Sequence, residues 1–150
     1  MGMNNYPVWW DTTLTIFNKY EDPVTQVVTW FKHVVTECFW KPTGNKVVIN
    51  NVTIETDDII CRIKKNDSFL EKYIWITKPN DEMANYFTLS PGDIIVKGEV
   101  DDDINEYVSG KRSSDLLKKY RTLQGCMTIE EVGINIGEGR CNEHYFVKGI

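Results

Sequence analysis

The chain has 150 residues, 41% of them hydrophobic and 26% charged, which predicts one folded domain and excludes an intrinsically disordered protein. Its 17 Lys and Arg against 22 Asp and Glu give a formal net charge of −5. This balance argues against general nucleic-acid binding, because neutralising phosphates requires clustered cations.

The first 40 residues predict two strands that pair as the start of a meander. Residues 12–19 alternate between apolar and polar side chains, which is the period of a strand. Residues 24–40 are dense in Val, Thr, Trp and Phe. This β-branched content favours one long strand, or two strands with a bulge near His33.

An inserted hairpin is predicted after a polar break at residues 41–45. Two short alternating runs, 46–49 and 52–56, lie on either side of Asn50 and Asn51. Asn tolerates the left-handed backbone region, so this pair predicts the tight turn of a small hairpin. Residues 59–63 and 73–76 then predict two further strands.

Residues 87–100 are the most informative segment of the chain. Two β-rich runs flank Ser90, Pro91, Gly92 and Asp93. Proline presets φ near −65° at the first central position of a type II turn, and glycine supplies the positive φ of the second. The segment predicts a strand, a tight turn and a second strand in an all-β core.

The last third predicts one helix and two strands. Residues 113–123 carry the helix pattern, with a cap at Ser113 or Ser114 and with Gly125 in the left-handed position after its end. Its apolar stripe is Leu116, Leu117, Tyr120 and Leu123. Residues 126–136 and 145–147 predict the strands.

These elements predict a mainly β fold, a small closed or partly open β-barrel with one α-helix at about residues 113–124. Barrel closure removes the exposed edges that such a sheet otherwise presents, and a β-sandwich is the alternative. The expected organisation is a single domain over residues 1–150 with an N-terminal arm (1–11). An inserted hairpin (41–57) and a helix followed by C-terminal strands (113–150) complete it.

The sequence offers few residues for chemistry. Cys141 and His144 form a C-x-x-H pair that is half of a zinc site, but Cys38, Cys61 and Cys126 follow no familiar finger spacing. The acidic runs lack EF-hand spacing, and no apolar run approaches the ~18–20 residues that cross a bilayer. We therefore expect no catalytic residue, no cofactor, no bound metal and no membrane partner. A small metal- or ligand-binding barrel that uses Cys141 and His144 stays open as an alternative.

Trp9 and Trp10 predict an interface arm. Adjacent residues on a strand face opposite sides, so both indoles are buried only if each side is covered. Trp is also enriched at the centres of protein contacts.

Several segments of the chain together resemble a family of proteins from tailed bacteriophages and prophages of Gram-positive bacteria. They include residues 13–20 and 60–67, the pattern FTLxxGDIIVxGE at residues 87–99, and the ending at residues 139–145. This group in turn is similar to small minor capsid and head-completion proteins, the stopper layer between portal and tail. Such proteins are small β-barrels that form rings, and an inserted loop or hairpin projects into the channel and retains DNA.

The resemblance implies a structural virion protein of the head–tail connector, located in the virion neck and in the host cytoplasm during assembly. Its expected partners are sister copies in a ring, the portal or adaptor protein, and a tail-completion or terminator protein. DNA would pass without sequence-specific binding. The adaptor, stopper and tail-completion layers stay open because the helix and strands after Glu99 exceed the simplest stoppers, and a tail-tube or tail-terminator component is an alternative. The expected interface residues are Trp9, Trp10, Lys41, Asn45, Lys46, Asn50, Asn51 and Asp57.

Overall fold

The structure is a computed structural model that describes residues 6–43, 45–56, 58–137 and 143–150. The first five strands are β1 (Thr12–Glu21), β2 (Val28–Pro42), β3 (Asn45–Ile49), β4 (Val52–Thr56) and β5 (Ile59–Lys64). A short helix α1 (Lys72–Trp75) and a 3-10 turn (Met83–Asn85) follow. The remaining elements are β6 (Ile94–Lys97), α2 (Ser113–Thr122), β7 (Cys126–Asn135) and β8 (His144–Gly149).

Six antiparallel strands close into a barrel in the order β1-β2-β5-β8-β7-β6. The predicted barrel is therefore confirmed, and the sandwich alternative is not. Within the described residues, β3 and β4 pair with each other and form a separate two-stranded sheet. The hairpin predicted between β2 and β5 is thus an insertion into a complete barrel.

Two apolar clusters hold the barrel together. The interior cluster includes Leu14, Ile16, Ile63, Ile95 and Met127, all of them buried. A second cluster lies under α2, where Leu116 and Tyr120 of the helix pack against residues of β1, β6 and β7 such as Phe17, Val96 and Cys126. The helix therefore covers one outer face of the barrel with Leu116, Leu117 and Tyr120 of the predicted stripe, whereas Leu123 follows the helix and is 65% exposed.

The ends of α2 differ from the prediction in one detail. Arg112, and not Ser113 or Ser114, occupies the N-cap position, and its backbone N–H donates to Asp115 Oδ2 at 3.1 Å. Asp115 thus receives the bond in the first turn, near the positive end of the helix dipole. Gly125 has φ +99° as predicted, and its N–H donates to the Tyr120 carbonyl oxygen at 2.8 Å.

The bulge in β2 lies four residues after the predicted place. His33 pairs in register with Ile16, whereas the register shifts between the pairs Leu14–Val35 and Thr12–Cys38. Glu37 lies inside this shift with φ +56°. An extra residue in the left-handed region produces such a bulge, and it turns β2 toward β5.

The predicted strand at residues 73–76 is wrong, because these residues belong to or follow α1. The reason is the burial of a single indole. Trp75 is fully buried with its ring edge-on to Tyr20 and Phe31, and its Nε1 donates to the Met83 carbonyl oxygen at 3.2 Å. A helical turn brings this side chain inward and leaves its apolar neighbours outside.

The turn at residues 90–93 is confirmed, but the strand predicted before it is wrong. Gly92 has φ +96°, and the Asp93 N–H donates to the Ser90 carbonyl oxygen at 3.1 Å. Thr88, however, bonds to a side chain and not to a strand. Its N–H donates to Asn18 Oδ1 at 3.2 Å, and its carbonyl oxygen accepts from Asn18 Nδ2 at 2.6 Å.

A buried carboxylate completes this contact. Asp93 is 1% exposed, and its Oδ1 accepts from the Lys19 N–H at 2.9 Å. Its Oδ2 accepts from Asn18 Nδ2 at 3.0 Å and from the N–H and Oγ of Ser90, both at 3.1 Å. Desolvation by burial is the largest influence on this group and raises the pKa of Asp93 in spite of these donors. We call this set of contacts between Asn18, Thr88, Ser90 and Asp93 the polar clamp.

We predict that Asp93→Ala lowers the free energy of unfolding by about 2 kcal/mol or more, because it leaves several buried donors without an acceptor. Chemical denaturation measures this loss. Asp81→Ala, which removes an exposed loop carboxylate, is the matched control and should change the unfolding free energy by less than about 0.5 kcal/mol.

The loss should also depend on pH. Because the folded pKa of Asp93 is raised, its contribution to stability is complete below the ordinary value of 3.8 and declines as pH rises through the folded value. The difference between wild type and Asp93→Ala should therefore be largest in acid. A difference that grows with pH would contradict this account.

Candidate functional site

The inserted hairpin is built by its turn and its stem. Asn50 and Asn51 have φ of +50° and +64°, the left-handed pair that a type I′ turn requires, and Ile49 pairs with Val52 across it. At the stem, the N–H and Oγ1 of Thr43 donate to the Asp58 carbonyl oxygen at 2.8 and 3.0 Å. The ladder between β2 and β5 thus continues to the base of the hairpin.

The tip of this hairpin is aliphatic and exposed. Val48, Ile49 and Val52 are 67%, 53% and 60% exposed. Neither apolar cluster of the barrel includes these three side chains. Along the ladder, the pair Ile49–Val52 alternates with Val48–Thr53, so aliphatic residues occur on both faces.

The predicted interface residues of this segment fall in three groups. Asn50 and Asn51 lie exposed at the tip, and Lys41 lies exposed near the end of β2. Asn45 and Lys46 belong to β3 by their backbone, but their side chains are outside the described part of the structure. Asp57 lies outside the described residues.

The two adjacent tryptophans of the N-terminal arm differ in burial. Trp10 is 7% exposed and packs on its own barrel, with ring centroids 6.2 Å from Phe39 and 5.6 Å from His144. Tyr6 packs on it at 5.5 Å and donates its hydroxyl to the Glu143 carbonyl oxygen. Trp10 therefore belongs to the fold of its own chain, which corrects its assignment to an interface. Trp9 is 64% exposed and stays an interface candidate.

The described cysteines are poorly suited to nucleophilic chemistry. Cys38, Cys61 and Cys126 are buried free thiols. Burial raises the pKa of Cys38 to about 12, raises that of Cys61 well above its ordinary value, and raises that of Cys126. Because the thiolate is the nucleophile and the metal ligand, these thiols are unreactive near neutral pH.

The structure describes only part of the alternative metal site, which was predicted to use Cys141 and His144. Cys141 lies outside the described residues. His144 lies against Trp10, with its Nε2 3.2 Å from Asn135 Nδ2, and His33 places its Nδ1 2.9 Å from the Ala84 carbonyl oxygen. Among the described residues, no three or more His, Cys, Asp or Glu side chains come together in a group that could hold a metal ion.

Several cationic side chains in and just before α2 lie near the acidic run at residues 101–103. They include Lys111, Arg112 and Lys119. Lys119 Nζ lies 2.8 Å from Asp102 Oδ2, a hydrogen bond that lowers the pKa of Asp102 and raises that of Lys119. Lys32 Nζ lies 3.3 Å from Asp103 Oδ1. Both signs of charge are therefore interleaved on this face, which gives no continuous basic patch for phosphates.

An exposed apolar ridge beside α1 was missed by the sequence analysis. Tyr73, Ile74 and Ile76 lie exposed around the buried Trp75, and Ile134 of β7 is exposed as well. The sequence signal was present in the apolar run 73–76. Its interpretation as a strand hid the ridge, because a strand would turn alternate side chains inward.

Comparison with known protein families gives a match over most of the chain. The model of a family of unknown function, DUF6751, covers residues 9–150. No curated protein and no solved structure matches the chain. Among the described residues, no helix has the length and apolar character needed to span a bilayer.

The different roles of the two tryptophans can be tested by a matched pair of substitutions. Trp10→Ala should lower the free energy of unfolding by about 3 kcal/mol, since it removes a large buried aromatic side chain. Trp9→Ala should change it by less than about 0.5 kcal/mol. Equal losses in denaturant titrations of the two variants would show that Trp9 also belongs to the fold.

Proposed function

This chain belongs to the family of unknown function DUF6751, and we propose that it is a structural virion protein of a tailed phage, a ring component of the head–tail connector. The observation that carries the proposal is the aliphatic hairpin held out from a closed barrel. The assignment to a phage neck comes from the sequence resemblance described above, which implies that the hairpin corresponds to the insertion of stopper-like proteins.

Exposure of the hairpin favours a function through contact. A two-stranded ribbon is marginally stable by itself, and an unpaired strand edge invites association with another chain. The barrel has closed its own sheet, so it does not need the hairpin for its fold. A partner that covers Val48, Ile49 and Val52 explains why aliphatic side chains occupy this tip.

The chemistry of the barrel supports the same class of function. Its described thiols have raised pKa values, and its buried carboxylate, Asp93, is fully engaged by donors of the polar clamp. Asp102 and Asp103 are engaged by lysines. These groups stabilise the fold and its surface, which leaves surface contact as the better supported activity.

The net charge suits a channel through which DNA moves. A chain with a formal charge of −5 repels phosphates, so a ring of such chains lets DNA slide without binding it. In this proposal sister copies meet head to tail around the ring. The portal or adaptor lies on one side of the ring and the tail-completion or terminator protein on the other.

The test is a genetic one in the phage or prophage that encodes this chain. A stop codon in its gene should yield filled or emptied heads that lack tails, seen by negative-stain electron microscopy. Antibodies against the chain should label the neck of wild-type particles. Label along the tail would favour the tail-tube alternative, and a chain that is absent from purified particles would contradict the proposal.

A matched pair of variants tests the hairpin in the same assay. Ile49→Asp with Val52→Asp should reduce the yield of tailed particles at least tenfold, because charges replace the aliphatic contact. Val24→Asp with Val27→Asp changes exposed valines in the turn between β1 and β2 and should leave the yield within about twofold. Normal yields from both variants would remove the hairpin from the proposal.

A further inference from the structure

The barrel has a free strand edge where β6 is shorter than β7. β6 pairs with β7 from Ile94–Thr128 to Val96–Cys126, and the backbones of Gly92 and Asp93 continue the ladder as far as Ile129. Beyond Ile129, the described backbone of β7 bonds to β8 and to no other segment. Since successive residues of a strand point their N–H and C=O groups to opposite edges, every second residue of 131–135 presents unpaired groups on the side of β6.

An apolar groove runs along this free edge. Val132 and Ile134 of β7 line one wall, and Tyr73 and Ile76 of the ridge beside α1 line the other, with Leu89 between them. Exposed apolar side chains beside unpaired backbone groups are the features by which a sheet accepts an additional extended strand.

A buried hydroxyl at the same groove has no partner. Thr88 is fully buried and lines the groove, and its Oγ1 makes no hydrogen bond in the structure. The backbone of Thr88 is held by Asn18 of the polar clamp, so the position of this hydroxyl is fixed. Native proteins rarely leave a buried hydroxyl unpaired.

The groove carries one acidic side chain outside the ion pairs of the described residues. Glu71 lines the groove, and none of these ion pairs involves it. Lys72 also lines the groove, but its Nζ is engaged with the Lys19 carbonyl oxygen at 2.8 Å and lies over the Trp75 ring. A strand with a lysine and no acid is the complementary occupant.

We propose that the outer edge of β3 from a second copy of this chain adds to the free edge of β7 in this groove. β3 has five residues, the length of the free stretch 131–135, and in the described structure it pairs with β4 on one side alone. It carries Lys46 and no acidic residue, whereas β4 carries Glu55. Charge therefore favours β3 over β4 beside Glu71.

This contact joins two different surfaces of the chain. A hairpin on one copy meets a groove on the next, so the contact is heterologous and repeats around a ring if the rotation closes. The inference rests on the proposed function for the ring itself and specifies which surfaces meet. Val48 would then lie against Ile76 and Ile134, with Ile49 on the opposite face of β3, which covers exposed aliphatic area on both copies.

The test places a photo-crosslinking benzoylphenylalanine at Val48 of the full chain. After illumination of the purified protein and of mature particles, mass spectrometry should find Val48 joined to residues 73–76 or 132–134 of another copy. The matched control carries the same group at Val108, which is 41% exposed and lies in the loop before α2. It should give no crosslink to these segments.

Charge substitutions in the chain that carries the crosslinking group at Val48 test whether β3 lies beside Glu71 of the groove. Lys46→Glu or Glu71→Lys should each reduce the crosslinked yield about fivefold, and the double variant should recover it. Glu71 makes no side-chain bond at the start of α1, so its replacement leaves the helix intact.

The outcomes separate the inference from the proposed function. Crosslinks between copies at other segments, or from Val48 to a different virion protein, would overturn the inference and leave the connector proposal standing. The absence of any crosslink from Val48 to the groove, in both samples, would overturn it as well. Absence of the chain from purified particles would instead remove the proposed function.

Discussion

The buried contact between the Asn18 side chain and the Asp93 carboxylate governs the shape of this barrel. Asn18 donates and accepts at the backbone of Thr88, and Phe87 forms an isolated bridge with Phe69, so residues 87–90 form no strand of the barrel. Asp93 ties the following turn to the Lys19 backbone. β6 can therefore begin only at Ile94, and the barrel closes through a four-residue strand. Buried hydrogen bonds of this kind, which engage Asn18, Asp93 and the Thr88 backbone, favour one arrangement of the chain.

This constraint links the fold to the surfaces available for contact. Because β6 is short, the second half of β7 keeps one edge unpaired in the described structure, and the apolar ridge beside α1 forms the opposite wall of a groove. The hairpin is inserted elsewhere, between β2 and β5, and leaves the barrel closed. The chain thus carries a projecting aliphatic element and a receiving groove on separate elements. That arrangement suits an assembly protein better than one that binds a small substrate in an enclosed cavity.

Local sequence rules predicted the elements whose conformation depends on near neighbours. The Asn50–Asn51 turn, the Gly92 turn and the amphipathic helix α2 follow from backbone preference and short-range periodicity, and all three are present. The two strands that were predicted wrongly, at residues 73–76 and before the turn at residues 90–93, depend on contacts between residues that are distant in the sequence. The backbone of Thr88 is hydrogen-bonded to Asn18, which lies 70 residues away in the sequence. Trp75 packs against Tyr20 and Phe31, and its apolar neighbours form a helical turn. The periodicity of the sequence could predict the hairpin. It could not predict the groove, which exists because residues 87–90 do not pair with residues 131–135 of β7.

Amide hydrogen exchange on the isolated chain and on the assembly that we propose tests the central claim most directly. If the polar clamp sets the path of residues 87–90, the Thr88 and Lys19 amides exchange as slowly as those in the centre of β1 in both states. Alternate amides of residues 131–135 should exchange rapidly in the isolated chain and become protected on assembly, together with those of β3. Rapid exchange at Thr88, or equal protection of every β7 amide before and after assembly, would contradict the account.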